Sequence, residues 1–199
     1  GAVVRFMGKV GSDGEWIVGQ LASVGFPVKE IITDPTQFTG HVIINRYEEG
    51  APSVMLYYAG ANAHITPLEM QSFLKGAVEG DILLVQNEIG GMRELLNMAK
   101  TMGLRVCFNP SPAIHDDWKC EEYQCEWLIL NEHEFGHICK LYNIETNPNE
   151  KRMRDLKIKL DCDNLICSFG ANGVIGLDNA GQVVTARAPK VTVVDTVGA

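Results

Sequence analysis

The sequence predicts an α/β fold built around a mostly parallel sheet. Apolar runs of strand length alternate along the chain with amphipathic helical patterns, which is the order that a parallel sheet requires. Several of these runs are apolar at every position, like strands whose two faces are both buried. One pair of β-rich runs, at 40–47 and 52–60, has no helix between its members and predicts an antiparallel hairpin.

The first part of the chain predicts a strand, a helix and then this hairpin. Residues 2–10 form the first apolar run, and residues 13–25 have a helical pattern that Gly25 is expected to close. The hairpin interrupts the alternation of strands and helices. We therefore expect residues 36–60 to form part of a β lid inserted into one α/β domain that covers residues 1–199.

A well-marked helix begins after Thr66. The stretch Thr66-Pro67-Leu68-Glu69 has the pattern of a capping box, with proline at the first helical position. An apolar stripe runs from Met70 to Val78, and Gly80 is expected to end the helix. The remaining pattern predicts, in order, a central strand at 81–87, a helix at 90–102, strands at 104–110 and 126–131, helices at 132–142 and 148–160, a strand at 164–170 and a hairpin at 173–189.

Composition limits the functions that are expected. The 199 residues carry a formal net charge of −8 without a basic face suited to phosphate backbones, so nucleic acid is not an expected partner. No apolar run is long enough to span a bilayer, so no membrane association is expected. The six cysteines include no C-x-x-C pair, which indicates buried, reduced thiols of a cytoplasmic protein.

Three common catalytic motifs do not occur in the sequence. Gly8, Gly11 and Gly14 are spaced G-x-x-G-x-x-G and do not match the dinucleotide fingerprint G-x-G-x-x-G. Neither a G-x4-G-K-[ST] phosphate loop nor a G-x-S-x-G nucleophile elbow is present. These observations disfavour a nicotinamide enzyme, a P-loop enzyme and an α/β-hydrolase.

The stretch NEHEFGH, residues 131–137, contains a literal H-E-x-x-H. On a helix, His133 and His137 would share one face and could bind zinc, with Glu134 as the general base. However, no further metalloprotease signature follows His137, and Gly136 weakens the helix that would hold the pair. In the alternative interpretation both histidines lie on an exposed helix face, Asn131 caps the helix, and Glu134 serves another site.

Polar residues and glycines follow the predicted strands at the same end of each one. Ligands of open α/β sheets bind beyond the carboxyl ends of the strands, so these positions are candidates for one shared site. They are Gln86 to Glu88, Asn109 to Ala113, Asn131 with Glu134, Gly170 to Gly173, and Asp195 to Ala199.

At these positions the chain resembles the ribokinase (PfkB-type) family of carbohydrate kinases. The matching stretches extend over the whole chain and are, in order, GKVGSDG, FTGHVII, AGANAHITP, VQNE, FNPSPA, LNEHE, SFGANG and VVDTVGA. The last stretch is the beginning of the family's D-T-x-G-A-G-D signature. AGAN, Q-x-E and N-P-x-P-A resemble ribokinase more than the nucleoside or fructose-phosphate branches.

The resemblance implies a ribokinase-like parallel-sheet sandwich with a small β lid. It also implies a phosphotransferase with an alcohol group as acceptor, which transfers the γ-phosphoryl group of ATP to the primary hydroxyl of ribose. ATP, Mg²⁺ and K⁺ are the implied cofactors, and ribose or a similar small sugar is the implied substrate. A homodimer formed through the lid and a cytoplasmic role in carbohydrate metabolism are further implications.

The resemblance also implies roles for residues of the predicted domain. Glu88 would hydrogen-bond the sugar hydroxyls. Asn131 and Glu134 would be the family's N-x-x-E pair, with Asn131 at the nucleotide and Glu134 holding Mg²⁺ through water. The other implied nucleotide contacts are Ser168, Gly170, Asn172 and Gly173; Asn172 stands where ribokinases often carry a basic residue.

The last residues of the chain would form the start of the catalytic segment. Asp195 and the Val197 carbonyl would bind the monovalent cation, and Gly198 and Ala199 would begin the anion hole for the transferred phosphoryl group. The family's catalytic aspartate would come just after Ala199, and its N-terminal G-G-K-G-A-N segment has no counterpart. We therefore expect a chain truncated at both ends, a piece of a longer kinase that is inactive alone.

Two alternatives within this resemblance stay open. The acceptor could be a nucleoside or another sugar, as in other PfkB-type kinases. The protein could also be a non-catalytic relative that binds a sugar or a nucleotide, which a complete gene product without Gly-Asp after Ala199 would favour.

Overall fold

A computed structural model describes residues 2–45, 54–111, 125–147 and 149–192. The chain divides into two compact units, the first formed by residues 1–77 and 88–98 and the second by residues 78–87 and 99–199. The predicted α/β fold with a mostly parallel sheet is confirmed. Within the described ranges, no helix combines the length and the apolar character that crossing a membrane requires.

The first unit begins with a strand–helix–strand crossover. β1 (Met7–Gly11) and β2 (Glu30–Asp34) are parallel neighbours, and α1 (Glu15–Ser23) connects them. Gly25 follows the helix with a φ of 78°, a left-handed conformation that glycine adopts without strain, so the predicted helix end is confirmed. The first strand is shorter than predicted and starts at Met7 instead of residue 2.

The predicted hairpin is confirmed as a separate two-stranded ribbon. β3 (His41–Asn45) and β4 (Val54–Tyr58) pair in antiparallel register, and the residues that connect them, 46–53, lie outside the described ranges. Both faces of the ribbon carry exposed apolar side chains: Val42, Met55 and Tyr57 on one face, and Ile43, Leu56 and Tyr58 on the other. We call this pair of strands the lid ribbon.

α2 (Pro67–Leu74) begins at the predicted capping box. Thr66 Oγ1 accepts a hydrogen bond from the Glu69 amide, and the Glu69 carboxylate accepts one from the Thr66 amide. The prediction that this helix extends to Gly80 is wrong. The helix ends at Leu74, and Gly76 follows with a φ of 90°, through which a right-handed helix cannot continue. The next helix, α3 (Met92–Thr101), agrees with its predicted position.

The second unit is built on a six-stranded sheet in the order β10-β9-β8-β7-β6-β5. The strands are β5 (Ile82–Gln86), β6 (Arg105–Asn109), β7 (Trp127–Asn131), β8 (Asn164–Ser168), β9 (Val174–Leu177) and β10 (Val183–Ala186). β5 to β8 are parallel, and β9 and β10 form the antiparallel hairpin predicted at 173–189.

Two helices cover one face of this sheet. α4 (Glu132–Leu141) contacts β7 and β8, and α5 (Glu150–Leu160) contacts β8 and β9. The core between them consists of fully or almost fully buried apolar side chains, among them Leu128, Leu130, Phe135, Ile138, Met153, Leu156 and Leu165. This packing fixes the direction in which α4 leaves the end of β7.

β5 is an edge strand, not the central strand that its apolar run predicts. In the described part of the chain its only strand neighbour is β6. Leu83 is buried, but Ile82 and Leu84 on the opposite face are 67% and 71% exposed. An uninterrupted apolar run therefore does not identify a strand that is covered on both faces in this structure.

None of the five described cysteines forms a disulfide with another of the five, and Cys120 lies outside the described ranges. Four of the five are buried. Burial raises the pKa of Cys139 and of Cys162 to about 11, so both thiols stay protonated at neutral pH. The predicted burial is thus confirmed for four of the cysteines.

Lys9 on β1 is a buried cation held by two carboxylates. Its Nζ lies 2.9 Å from Glu69 Oε1 and 3.4 Å from Asp34 Oδ2, and it donates a hydrogen bond to the His64 carbonyl at 3.0 Å. Burial by itself lowers the pKa of Lys9, but the two carboxylates outweigh this and raise it above its ordinary value. The cluster joins β1, β2 and the first turn of α2.

We predict that Lys9→Met destabilises the complete protein. Two carboxylates would lose their cation, which should lower the free energy of unfolding by about 2–3 kcal/mol; both keep partial solvent contact, so the loss is smaller than for a fully buried pair. Urea denaturation measures the change. The control is Arg154→Met, which removes an exposed pair with Glu150 on α5 and should cost less than about 0.5 kcal/mol. Equal losses in the two variants would contradict the prediction.

Candidate functional site

Four parallel strands of the second unit end at one edge of the sheet, each with a polar side chain. Gln86 ends β5, Asn109 ends β6, Asn131 ends β7 and Ser168 ends β8. The strand registers place Gln86 opposite Asn109, and Asn131 opposite Ser168. For these four residues, the predicted common edge of polar strand ends is confirmed.

Side-chain amides join this edge to the Glu134 carboxylate. Gln86 Nε2 donates to Asn109 Oδ1 at 2.9 Å, and Asn109 Nδ2 donates to the Ile129 carbonyl at 2.8 Å. Asn109 Nδ2 also lies 3.5 Å from Glu134 Oε2, and Asn131 Nδ2 donates to Glu134 Oε1 at 2.8 Å. The network therefore crosses the ends of three neighbouring strands.

Asn131 and Glu134 form a reciprocal capping box at the start of α4. The Glu134 amide donates to Asn131 Oδ1 at 2.9 Å, and the Asn131 amide donates to Glu134 Oε2 at 2.8 Å. The predicted capping role of Asn131 is confirmed. Glu134 is only 7% exposed, and in the ranges that the structure describes no lysine or arginine forms an ion pair with it.

This capping box accounts for Glu134 in the H-E-x-x-H stretch. The Glu134 carboxylate is directed to amides of the strand ends, while His133 is exposed and His137 is half-buried on the helix. Among the described residues, no three side chains of histidine, cysteine, aspartate or glutamate form a group that could hold a metal ion. The zinc interpretation thus gains no third ligand from these ranges.

The segment after β8 is a tight, exposed loop. A short 3-10 turn runs from Gly170 to Asn172, and Gly170 and Gly173 have φ angles of 52° and 90°. Gly173 has no room for a side chain, because a Cβ atom would lie 2.1 Å from the Ala186 carbonyl oxygen. Ser168, Gly170 and Asn172 are exposed and accessible to a ligand.

Glu88 belongs to the first unit, where it contacts the lid ribbon. The Tyr57 hydroxyl donates to Glu88 Oε2 at 3.1 Å. Burial, and then the charge of Glu88, raise the pKa of Tyr57 above its ordinary value, so the phenol remains a donor at neutral pH. The two residues are 31 positions apart, and no local pattern in the sequence links them.

A shallow groove of about 330 Å³ lies on the lid ribbon. Its lining residues are Phe38, His41, Ile43, Leu56, Tyr57 and Tyr58. Phe38, Ile43 and Leu56 are 70%, 56% and 60% exposed, an unusual density of exposed apolar surface for a two-stranded ribbon. Such a surface is typical of a contact site for a ligand or another protein.

Gln86 and Asn109 were among the strand-end candidates of the sequence analysis, but neither was given a specific role. Both stand at the last position of a strand and carry an amide that donates and accepts, which suits them to the strand-end network. Four other predicted site residues, Asp195, Val197, Gly198 and Ala199, lie outside the described residues. Their roles remain predictions.

Solved structures with this fold include several sugar kinases. The ribokinase from Thermotoga maritima is 25% identical, with a TM-score of 0.78 over 96% of this chain and 62% of that one. The Arabidopsis thaliana ribokinase complexed with ribose and ATP is 20% identical, with a TM-score of 0.77 over 98% of this chain and 64% of that one. The Salmonella enterica aminoimidazole riboside kinase is 20% identical, with a TM-score of 0.73 over 98% and 65%.

The chain spans 62–65% of the length of these three structures. No curated protein matches the sequence. The model of the family described as pfkB family carbohydrate kinase matches residues 1–199. The chain therefore belongs to the pfkB family of carbohydrate kinases.

Proposed function

We propose that the complete protein transfers the γ-phosphoryl group of ATP to the primary hydroxyl of ribose or a similar small sugar. Family membership supports a phosphotransferase, and a neighbour in fold is a ribokinase complexed with ribose and ATP. The observation that carries the proposal is the buried Glu134 carboxylate, which amides hold at the carboxyl edge of the parallel strands. A cytoplasmic location is part of the proposal.

The nucleotide would bind along the ends of β7 and β8. Phosphoryl transfer depends on positioning and on neutralising charge more than on covalent chemistry. Asn131 and Ser168 are register neighbours at this edge, and the exposed loop from Gly170 to Gly173 follows directly. Its glycines let the backbone approach a nucleotide closely, since they add no side chain.

The donor set at Glu134 suits a hydrated magnesium ion. One carboxylate surrounded by neutral amides cannot form a complete cage, and Mg²⁺ usually keeps several of its waters. When bound with ATP, the ion would neutralise charge on the β- and γ-phosphates. Glu134 would accept hydrogen bonds from its waters, and Asn131 would fix the carboxylate. Asp195 and the Val197 carbonyl are the proposed ligands of K⁺, with Gly198 and Ala199 beginning the anion hole.

The sugar would bind at Glu88. This exposed carboxylate has oxygens that can accept hydrogen bonds from sugar hydroxyls, and it already contacts the lid ribbon through Tyr57. A ribbon that covers the acceptor would keep water away from its hydroxyls. A nucleoside is the second candidate acceptor, because Tyr57 presents an aromatic ring beside Glu88 on which a base could stack.

A homodimer through the lid ribbon is also proposed. The face with Ile43 and Leu56, together with Phe38, exposes a continuous apolar surface. A second copy of the same face would bury this surface with two-fold symmetry, as isologous dimers do. Tyr57 also borders the groove, but strand alternation puts its side chain on the opposite face of β4, which would remain for the acceptor.

The activity is tested with the complete protein, ATP, Mg²⁺ and a panel of acceptors that includes ribose, other small sugars and nucleosides. We expect ribose 5-phosphate as the main product and a higher rate with K⁺ than with Na⁺. Turnover of a nucleoside or another sugar instead would contradict ribose as the acceptor. Nucleotide binding without transfer to any acceptor would contradict the proposed kinase activity and favour a non-catalytic relative.

Glu134→Gln should lower kcat about 10- to 100-fold, as loss of an outer-shell carboxylate at a metal site commonly does. Glutamine also occurs in capping boxes, so the helix should form and the thermal midpoint should change little. His133→Ala is the matched control, since this side chain is exposed one position away, and its kcat should be unchanged. A larger loss of kcat in His133→Ala than in Glu134→Gln would instead favour a role for His133.

Leu56→Lys should dissociate the proposed dimer, because it places a charge in an apolar contact. Light scattering coupled to gel filtration measures the mass of the complete protein. Val184→Lys on β10 introduces the same charge at a similarly exposed apolar position and should leave the dimer intact. A monomeric wild-type protein would contradict the dimer.

A further inference from the structure

Thr39 fixes the residues that lead into the lid ribbon, 38–40, which we call the lid stem. The Thr39 amide and hydroxyl donate to Asp13 Oδ1 at 3.0 and 2.8 Å, and Thr39 Oγ1 accepts from the Gly11 amide at 3.0 Å. These hydrogen bonds lower the pKa of Asp13. Gly14 packs so closely that a Cβ atom would lie 2.3 Å from Thr39 Oγ1. β3, which begins two residues later, therefore leaves from a rigid base.

The short 3-10 helix from Gly60 to His64 holds both this stem and the segment that carries Glu88. The Ala61 amide donates to the Phe38 carbonyl at 2.9 Å, just before Thr39. The Gly90 amide donates to the Asn62 carbonyl at 3.1 Å, two residues after Glu88. The lid stem and the Glu88 segment are therefore anchored to the same short 3-10 helix.

This 3-10 helix is itself hydrogen-bonded to β1. The Lys9 amide donates to Asn62 Oδ1 at 2.8 Å, and Lys9 Nζ donates to the His64 carbonyl at 3.0 Å. A Cβ atom on Gly90 would lie 2.1 Å from the Ala63 carbonyl oxygen, so this glycine brings the two backbones into contact. Such close packing leaves little freedom for the segment that carries Glu88.

Between these two anchored segments, one side-chain hydrogen bond spans from the ribbon to Glu88. Tyr57 lies on β4, one position before the end of the strand, and its hydroxyl meets Glu88 Oε2 at 3.1 Å. A hydrogen bond to a carboxylate is stronger than one between neutral groups. It occupies one carboxylate oxygen and restricts rotation of a side chain that is otherwise exposed.

We propose that Tyr57 is a positioning residue for Glu88, which its hydroxyl holds through one oxygen so that the other faces an acceptor hydroxyl. The inference rests on the proposed function of Glu88 as the sugar-binding carboxylate. Tyr57 thereby makes acceptor affinity depend on the placement of the lid ribbon. Its raised pKa keeps the hydroxyl protonated, and so able to donate, through the neutral range.

The test is a kinetic double-mutant cycle in the complete protein with the acceptor that the activity panel identifies. Tyr57→Phe removes only the hydroxyl and should raise KM for the acceptor about 5- to 20-fold. We expect kcat and KM for ATP to be unchanged, because the hydrogen bond positions Glu88 equally in the ground state and in the transition state. Glu88→Gln should raise KM for the acceptor further. Adding Tyr57→Phe to Glu88→Gln should change KM less than about 2-fold, since the two residues act as one unit.

Tyr142→Phe is the matched control, because it removes a hydroxyl from a half-buried tyrosine at the end of α4 to which no role in the site is assigned. It should leave KM for the acceptor at the wild-type value. Equal KM values for Tyr57→Phe and Tyr142→Phe, or full additivity of Tyr57→Phe with Glu88→Gln, would overturn the role of Tyr57 while the kinase activity stands. A wild-type protein that phosphorylates no acceptor would instead overturn the proposed function, and the role of Tyr57 with it.

Discussion

The capping box between Asn131 and Glu134 is the interaction on which the candidate nucleotide site depends. A helix start leaves backbone N–H groups without partners, and Asn131 satisfies that of Glu134. In return the Glu134 carboxylate is held at the strand ends by two donors from Asn131, with Asn109 beside it. One local requirement of helix formation thus fixes a carboxylate at the edge of the sheet where ligands of α/β proteins bind.

Two charged residues in the described part of the chain, Lys9 and Glu134, are buried, and they have different kinds of partners. Lys9 is surrounded by Glu69 and Asp34, so its charge is matched within the protein and the cluster joins secondary-structure elements. In the described residues Glu134 has amide neighbours and no ion pair with lysine or arginine. Under the proposed function, the Glu134 carboxylate would therefore serve a cation that arrives with the nucleotide.

Local signals in the sequence were sufficient for most elements and for the capping residues. The boxes at Thr66 and Asn131 each join residues three positions apart. The first box and the capping role of Asn131 were predicted correctly, but the return hydrogen bonds from Asn131 to the Glu134 carboxylate were not predicted. The position of β5 at the edge of the described sheet depends on residues that are distant in the chain, and so does the contact of Tyr57 with Glu88. No local pattern in the sequence contains either of them. The link from Asn109 to Glu134 was missed for the same reason, although each residue was recognised at a strand end.

We propose that one carboxylate, that of Glu134, both caps the start of α4 and serves the magnesium of the nucleotide. The most direct measurement is calorimetric binding of ADP with and without Mg²⁺, to the complete wild-type protein and to its Glu134→Gln and His133→Ala variants. The account predicts that Mg²⁺ strengthens ADP binding about 10-fold or more in the wild type and in His133→Ala, and much less in Glu134→Gln. An equal effect of Mg²⁺ on all three proteins would contradict it.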